Sequence, residues 1–260
     1  MSIESVGFVG GGRIARIMLE GWRRAGAMPE RVVVGDPNAA TLDALKAAHP
    51  SIETCVGDNC AAAGQSIVFL GLHPAAMGDA LPALAGSVEP SSIIVSLAPK
   101  VTIAALSSLL GGFDRIARAI PNAPSIVGSG FNPVAFGPAL GPADREAVLA
   151  SLAPLGEAPV VDESALEAYA SSAAMGPTYL WFQLYGLREI ARSFGLSEEA
   201  ASVAVERMTR GALDTMSASG LGPADVMDLV AVHPLAAAEP AFLEAYRTSL
   251  AAVMERIRPA

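Results

Sequence analysis

The chain has 260 residues, 52% of them hydrophobic, and a formal net charge of −9. It is therefore long enough to bury a sizeable core in one large domain or two modest ones. The negative charge, without any block of lysine and arginine, argues against nucleic acid or an anionic membrane surface as a partner. Two cysteines, Cys55 and Cys60, are too few for a disulfide scaffold and lack the spacing of a zinc site, so we expect no metal. Small-molecule chemistry is the class that remains.

The start of the chain lacks the charged, apolar and small-residue regions of a signal peptide, which predicts a cytoplasmic protein. Residues 168–187 carry no charge over about the length that crosses a bilayer. They also include several serines and glycines, a proline and a glutamine. This composition favours a buried helix over a membrane span, and a subunit interface is one place where it could be buried.

A glycine-rich turn joins the first predicted strand to the first predicted helix. Residues 6–18 read V-G-F-V-G-G-G-R-I-A-R-I-M, and the frame Gly10-x-Gly12-x-x-Ala15 is typical of a dinucleotide-binding βαβ unit. Gly10 would permit the tight turn, and Gly12 would let the backbone approach a pyrophosphate. Ala15 would let the helix pack closely on its strand. The phosphates would then lie on free helix N–H groups.

The second predicted strand, residues 31–35, leads to a carboxylate. Asp36 lies about 20 residues beyond the fingerprint, where a carboxylate accepts hydrogen bonds from an adenosine ribose. Because it would also repel a 2′-phosphate, Asp36 favours NAD over NADP, although it also opens an ordinary turn. Asn38 could serve a phosphate. Arg13 and Ile14, which follow the glycines, complete the cofactor-binding candidates in this part of the chain.

Predicted strands and helices alternate as far as residue 161. Short apolar runs bounded by turn residues predict strands at 52–56, 66–72, 92–97 and 115–120, with weaker ones at 134–136 and 158–161. Helices are predicted at 39–48, from about 102 onward, and at 143–155. This alternation indicates α/β architecture with a doubly wound, mostly parallel, Rossmann-like sheet. We assign residues 1–161 to an NAD(P)-binding domain.

Ligands of such sheets bind beyond the carboxyl ends of the strands. The candidates that follow the later strands are His73, Pro74, Ser96, Lys100, Pro121 and Asn122. From residue 162 onward only helices are predicted, at 164–194, 197–217, 223–230 and 240–256. Residues 162–260 are therefore expected to form an all-α domain for substrate binding and dimerisation.

Four segments resemble the pyrroline-5-carboxylate reductases, and the resemblance covers nearly the whole chain. They are G-F-V-G-G-G-R-I-A at 7–15, L-H-P at 72–74, I-V-S-L-A at 94–98 and R-A-I-P-N-A-P at 118–124, the last being the most specific. In that family the Arg-x-x-Pro-Asn-x-Pro segment and the strand-end serine lie beside the nicotinamide. The resemblance therefore implies this position for Pro121, Asn122 and Ser96. Asn59 resembles the family's asparagine that contacts the adenosine half of the cofactor.

The resemblance implies an NAD(P)H-dependent reductase of proline biosynthesis that reduces the C=N bond of a small cyclic imine. Residues 174–179, A-M-G-P-T-Y, are similar to the segment that opens the family's long interface helix, which implies a homodimer through the C-terminal helices. Two alternatives keep the same fold. One is a reductase of a different imine, a ketone or a keto acid, and the other is a dinucleotide-binding sensor or scaffold without turnover.

Two positions and one segment differ from the family pattern. His73 stands in place of the usual lysine, and Lys100 stands in place of the usual glycine. The family's Ser-Pro-Gly-Gly-Thr-Thr run, which holds the substrate carboxylate, corresponds here to L-V-A-V-H-P-L-A-A-A-E after Asp228. Only His233-Pro234 is similar to it.

Reduction of C=N needs a proton at nitrogen as well as a hydride at carbon. His233 is a candidate donor or anion-binding residue, and the alternative is a helix-break residue before a proline. The Tyr179 hydroxyl could donate, although packing is the commoner role of such an aromatic. Thr178 could assist or simply cap a helix. His73 fits packing against the cofactor better than catalysis.

Overall fold

The structure is a computed structural model that describes residues 4–259. Nine strands occur in this range: β1 Ser5–Val9, β2 Arg31–Asp36, β3 Glu53–Val56, β4 Ile67–Leu70, β5 Ile93–Ser96, β6 Ile116–Ala119, β7 Gly130–Phe131, β8 Val134–Phe136 and β9 Gly156–Glu157. Seven of them form one sheet in the order β3-β2-β1-β4-β5-β6-β8, and β7 pairs with β9. All neighbours in the large sheet are parallel except β8, which runs antiparallel to β6. The predicted doubly wound, mostly parallel sheet is confirmed.

Helices connect these strands. They are α1 Arg13–Ala25, α2 Ala39–Ala48, α3 Cys60–Ala63, α4 Pro74–Leu84, α5 Ile103–Leu109, α6 Pro142–Leu152 and α7 Leu166–Tyr169. Alternate strand residues contribute to two separate apolar clusters: Phe8 and Phe69 lie in one, and Val9 and Leu70 lie in the other. Because both faces are buried, the central strand β4, with the sequence I-V-F-L, is apolar at every position and shows no polar alternation.

Two predicted elements differ in the structure. The strand predicted at 158–161 is only an isolated bridge between Val134 and Val160. Pro133 and Pro159 flank this bridge and have no N–H to donate, so the ladder cannot extend. The helix predicted at 164–194 is interrupted, with a π-helical segment at Ala170–Ala174 before α8 begins at Gly176. Pro177 lacks the N–H that would continue a helix from the preceding turn, but it is tolerated in the first turn of a new one.

The chain forms two compact units, Met1–Met175 with Val253–Ala260, and Gly176–Ala252. The second unit contains all of α8 Gly176–Ser193, α9 Glu198–Ala218 and α10 Pro223–Asp228, and most of α11 Glu239–Ile257. The sequence predicts a domain boundary after residue 161, and this boundary stays a prediction.

Helix α9 begins where the sequence predicts. The Ser197 side chain accepts a hydrogen bond from the Ala200 N–H at 3.1 Å, as an N-cap residue does. In residues 168–187, Ala170 and Ser171 are buried, whereas α8 has no buried residue among those described. Burial of α8 at a subunit interface stays a prediction. Across residues 4–259 no helix combines the length and apolarity needed to cross a membrane.

Candidate functional site

The glycine-rich turn between β1 and α1 has the backbone geometry of a phosphate-binding loop. Gly10 has a φ of +102°, and a Cβ on it would lie 2.8 Å from the Gly71 carbonyl oxygen, so only glycine fits. Among the described residues, no heavy atom lies within 4 Å of a Cβ built on Gly12. No side chain caps α1, and its first turn holds no acidic residue, so its N-terminal amides face an open space suited to an anion.

Arg13 and Ile14 open α1, Arg13 being exposed and Ile14 half-buried. Behind them Ala15 is fully buried in the core against the sheet, which matches the close packing predicted for this position. Arg13 also lines a cavity of about 320 Å³ with Gly12 and Thr41. A cationic side chain therefore stands at the rim of the glycine turn.

Asp36 ends β2 beside this turn. Its Oδ2 accepts a hydrogen bond from the Gly11 N–H and its Oδ1 accepts one from the Asn38 N–H, both at 2.8 Å. Asn38 in turn caps α2, since its side chain accepts a hydrogen bond from Thr41. The Asp36 carboxylate thus holds the glycine turn in shape, and it remains half-buried at the sheet edge where an adenosine ribose would lie.

Two buried polar atoms lie at this edge of the sheet without a hydrogen-bond partner among the described residues, Asn59 Oδ1 and Ser96 Oγ. A Cβ on Gly35 would lie 2.5 Å from Asn59 Oδ1, so glycine at that position makes room for the asparagine. Asp58, and not Asn59, accepts the hydrogen bond from the start of α3, at Cys60 N–H. Unsatisfied buried polar atoms are rare in proteins, and a bound water, ion or ligand is a common reason for them.

A cavity of about 750 Å³ lies at the carboxyl ends of β4 and β5, and His73, Pro74 and Lys100 line it. His73 Nδ1 accepts a hydrogen bond from the Ala75 N–H at 3.3 Å, so this ring caps α4. Lys100 has a φ of +79°, alone among the described residues other than glycine in the left-handed region. Such strain occurs most often at functional sites.

The Pro121-Asn122 bend follows β6 and is buried. Asn122 Nδ2 donates to the Ala173 carbonyl at 3.3 Å, and Asn122 Oδ1 accepts from the Phe131 N–H at 3.1 Å. The amide is therefore occupied by the protein itself. It fixes the shape of the bend.

Sequence reasoning missed a buried ionic network around Arg118. This fully buried guanidinium lies 3.0 Å from Glu163 Oε1 and 2.6 Å from Glu167 Oε1. The same two oxygens accept hydrogen bonds from the backbone N–H groups of Ile103 and Lys100, at 2.6 and 2.9 Å respectively. The network thereby fixes the backbone at Lys100 and Ile103, next to the cavity at the ends of β4 and β5. A charged residue inside an apolar strand, with two glutamates spaced one helical turn apart, was the available signal.

The three candidate proton donors lie in the second unit and line two different cavities. Thr178 and Tyr179 line one of about 220 Å³, where the Tyr179 ring lies 6.0 Å from that of Tyr246. His233 lines one of about 810 Å³. Its Nε2 lies 3.0 Å from the Met227 carbonyl oxygen, to which the ring N–H donates.

Comparison with known proteins gives consistent results. A family model described as "NADP oxidoreductase coenzyme F420-dependent" matches residues 5–100. The pyrroline-5-carboxylate reductase of Pseudomonas aeruginosa is 26% identical over 87% of this chain and 83% of its own length. That of Escherichia coli is 25% identical over 87% of this chain and 84% of its own.

Solved structures agree in fold. Plasmodium falciparum pyrroline carboxylate reductase with NADP bound superposes with a TM-score of 0.84 at 18% identity, over 98% of this chain and 97% of that one. These matches support the pyrroline-5-carboxylate reductase family. The chain is an NAD(P)-dependent oxidoreductase that is similar to these reductases. The reductase of Coxiella burnetii gives a TM-score of 0.75 at 24% identity, over 99% of this chain and 98% of that one.

The residues of the first unit fit NAD(P). The open space at Gly12 and the uncapped start of α1 suit a diphosphate. The Asn59 Oδ1 and Ser96 Oγ atoms, on either side of β1 and β4 in the sheet order, offer unsatisfied hydrogen-bonding groups to the two halves of a dinucleotide. Ligands of doubly wound sheets bind at the point where the strand order reverses, which here lies between β1 and β4.

Proposed function

We propose that this protein reduces the C=N bond of a small cyclic imine with NAD(P)H. The observation that carries the proposal is the open backbone at Gly12, in front of an uncapped helix terminus. When bound, NAD(P)H supplies the hydride. The chain's own residues bind and orient it, with Gly10 and Gly12 at the diphosphate and Ser96 and Pro121 at the nicotinamide end.

Within this proposal Asp36 gives a preference for NAD. Its carboxylate is fixed by the Gly11 and Asn38 amides, so it cannot swing away from an incoming 2′-phosphate without breaking both hydrogen bonds. Repulsion between the two anions would then weaken NADPH relative to NADH. Arg13, exposed at the rim of the same turn, provides the opposing attraction.

Proton delivery belongs to the second unit in this proposal. The His233 Nε2–H donates to the Met227 carbonyl, so Nδ1 is the ring nitrogen left for a hydrogen bond with the substrate or with a water that supplies the proton. The Tyr179 hydroxyl and Thr178 are the other two donors of the proposal. Loss of imine turnover in the His233→Ala or the Tyr179→Phe protein, with coenzyme affinity retained, identifies the donor.

We further propose a homodimer formed by the C-terminal helices. The second unit exposes Phe182 at 67%, Tyr185 at 62% and Phe194 at 82%. Large exposed apolar surfaces of this kind mark interaction sites, and aromatic residues are enriched at such interfaces.

Coenzyme titration of a glycine variant tests the proposal. Gly12→Ala adds a methyl group to open space where the diphosphate would lie, and its φ of −68° suits alanine, so the fold is retained. We expect NADH affinity to fall about tenfold, equivalent to about 1.4 kcal/mol. Gly78→Ala is the matched control, since that helical glycine also has open space around it and lies away from the turn.

Asp36→Ala in the same titration should reduce the preference for NADH over NADPH. An unchanged ratio of the two dissociation constants would remove Asp36 from the ribose site. Absence of saturable binding by the folded wild-type protein would refute the cofactor assignment. Binding without oxidation of NADH or NADPH by any cyclic imine would refute the reductase.

A further inference from the structure

The loop between β5 and α5 forms one wall of the cavity at the carboxyl ends of β4 and β5. Its residues 99–102 all line this cavity, and we call them the nicotinamide wall. Asp36, at the adenosine end of the site, ends β2, and β1 separates β2 from β4 and β5 in the sheet. A dinucleotide that crosses the reversal of strand order therefore has its nicotinamide half on the side of β4 and β5.

Two glutamates join this loop to a buried arginine. Glu167 Oε1 accepts hydrogen bonds from the Lys100 N–H at 2.9 Å and from Arg118 Nη2 at 2.6 Å. Glu163 Oε1 accepts them from the Ile103 N–H at 2.6 Å and from Arg118 Nη1 at 3.0 Å. Each oxygen thus connects one backbone amide to the same guanidinium. Glu167 is 4% exposed, and hydrogen bonds to a charged group are strong when shielded from water.

The conformation of Lys100 makes the loop dependent on Glu167. The φ of +79° at Lys100 lies in the left-handed region, where Cβ crowds the backbone carbonyl of any residue other than glycine. Such a strained conformation persists only where the surrounding structure holds it. The hydrogen bond to Glu167 is what holds the Lys100 amide in the part of the chain that the structure describes. Without it the loop would relax towards a right-handed or extended conformation.

We propose that Glu167 is a positioning residue for the coenzyme. Paired with Arg118, it holds the strained Lys100 backbone in the conformation that forms the nicotinamide wall. Glu167 does not line the cavity, so it acts through the loop and not by contact with the ring. The wall is then ordered before the coenzyme arrives, and binding does not have to include the cost of ordering it. This inference rests on the proposed function for the place of the nicotinamide.

The strand register supports this role. Arg118 lies opposite Ser96 in the ladder between β5 and β6. Ser96 Oγ is the buried atom without a partner among the described residues that the proposed function places at the nicotinamide end. The charge pair therefore stands beside the strand end that receives the ring, and one network fixes both β6 and the β5–α5 loop there.

Titrations with paired ligands test the inference. The ligands are NADH and ADP-ribose, which lacks the nicotinamide ring, and in parallel NADPH and 2′-phospho-ADP-ribose. The variants are Glu167→Ala and Glu167→Gln. The matched control is Asp144→Ala, because Asp144 also pairs with an arginine, Arg115 at 2.8 Å, and accepts a backbone N–H, that of Gly141 at 3.0 Å. Arg115 precedes β6, at the end of that strand opposite the cavity.

We expect Glu167→Ala to weaken binding of the reduced coenzyme about tenfold, equivalent to about 1.4 kcal/mol. The affinity for the matching ADP-ribose should stay within about twofold, because its binding site is distant from the loop. Glu167→Gln keeps an oxygen that can accept the Lys100 N–H, so it should recover most of the coenzyme affinity. Melting temperatures should fall for both variants, since Arg118 loses its charged partner. Asp144→Ala should leave both affinities unchanged.

A glycine at position 100 separates the strain from the support. Glycine adopts the left-handed conformation without a steric penalty, so the Lys100→Gly loop does not need the hydrogen bond to Glu167. In the Lys100→Gly background, Glu167→Ala should therefore weaken the coenzyme by no more than about threefold. The melting temperature should still fall, because Arg118 loses the same partner in both backgrounds. A purely structural role of Glu167 would not produce this difference in affinity.

Three results would overturn the inference and leave the reductase intact. They are an equal loss of coenzyme and ADP-ribose affinity, a Glu167→Gln protein that binds coenzyme as weakly as Glu167→Ala, and an undiminished tenfold loss in the Lys100→Gly background. Should Glu167→Ala not fold, Glu163→Ala replaces it, since it releases the Ile103 end of the same loop and is judged by the same two ligands. A folded wild-type protein that binds neither ligand of either pair would refute the proposed function together with this inference.

Discussion

The two units of the chain use their apolar residues differently. In the first unit Phe8, Trp22 and Phe69 are fully buried, with ring centroids 5.3 to 6.0 Å apart. In the second unit, helices α8, α10 and α11 have no buried residue among those described, and Phe194 is 82% exposed. The first unit therefore has its own core. The apolar side chains of the second unit need another surface, which is why we propose a dimer there.

Replacing a phenylalanine by alanine should lower the stability of the fold in the first unit and weaken the proposed dimer in the second. Phe69→Ala removes a fully buried ring and should lower the free energy of unfolding by about 3–5 kcal/mol in urea titrations. Phe194→Ala should change it by no more than about 0.5 kcal/mol at concentrations where the chain is monomeric. Sedimentation should show a weakened dimer for Phe194→Ala only. Similar unfolding losses in dilute solution would mean that the second unit has a core of its own.

The fold was predictable where the information is local. Most strands of the large sheet fall in short, mainly apolar runs bounded by turn residues, so their order along the chain could be predicted from local composition. The glycine turn was equally local, because Gly10, Gly12 and Ala15 each meet a steric requirement of neighbouring backbone.

The less predictable features depend on contacts between distant residues. Arg118 contacts Glu163 and Glu167, which lie 45 and 49 residues further along the chain. A charged residue in an apolar strand indicates that a partner is needed, but the local sequence does not say which carboxylates provide it. The internal hydrogen bonds of Asn122 depend likewise on Phe131 and Ala173. Lys100 and Arg256, which is near the end of the chain, line the same cavity. No local pattern in the sequence indicates that these two residues lie close together.

Ion pairs provide a second contrast between the units. Arg118→Leu would leave the Glu167 carboxylate buried without its partner, and the free energy of unfolding should fall by about 3 kcal/mol. In the second unit, Glu206→Gln removes an exposed pair with Arg210, and we expect a change of less than about 1 kcal/mol. Chemical denaturation of both proteins measures the difference.

A triple variant controls for the burial of charge. Arg118→Leu combined with Glu163→Gln and Glu167→Gln removes all three charges, so it should recover part of the stability lost in Arg118→Leu. If the triple variant is no more stable than the single one, the loss arises from packing around the arginine and not from an unpaired carboxylate.

The smallest expected effect is a pH dependence that originates in the first unit. His49 is 4% exposed at the end of α2, and burial lowers the pKa of its imidazole below the ordinary value of 6.5, with Glu20 opposing this shift and Arg23 adding to it. The unfolded chain therefore binds a proton more readily than the folded one. Stability from this group is complete above about pH 6.5 and decreases as the pH falls towards the lowered pKa.

His49→Gln should flatten the dependence of unfolding free energy on pH between about pH 5 and 7, measured by urea titration at several pH values. Glu20 does not interfere in this window, since Arg23 and Arg24 lower its pKa to about 2 and its contribution is lost only in stronger acid. An unaltered slope in the His49→Gln protein would show that the imidazole stays accessible to protons in the folded state. A steeper loss of stability at low pH in the second unit than in the first would place the titrating group outside the buried core.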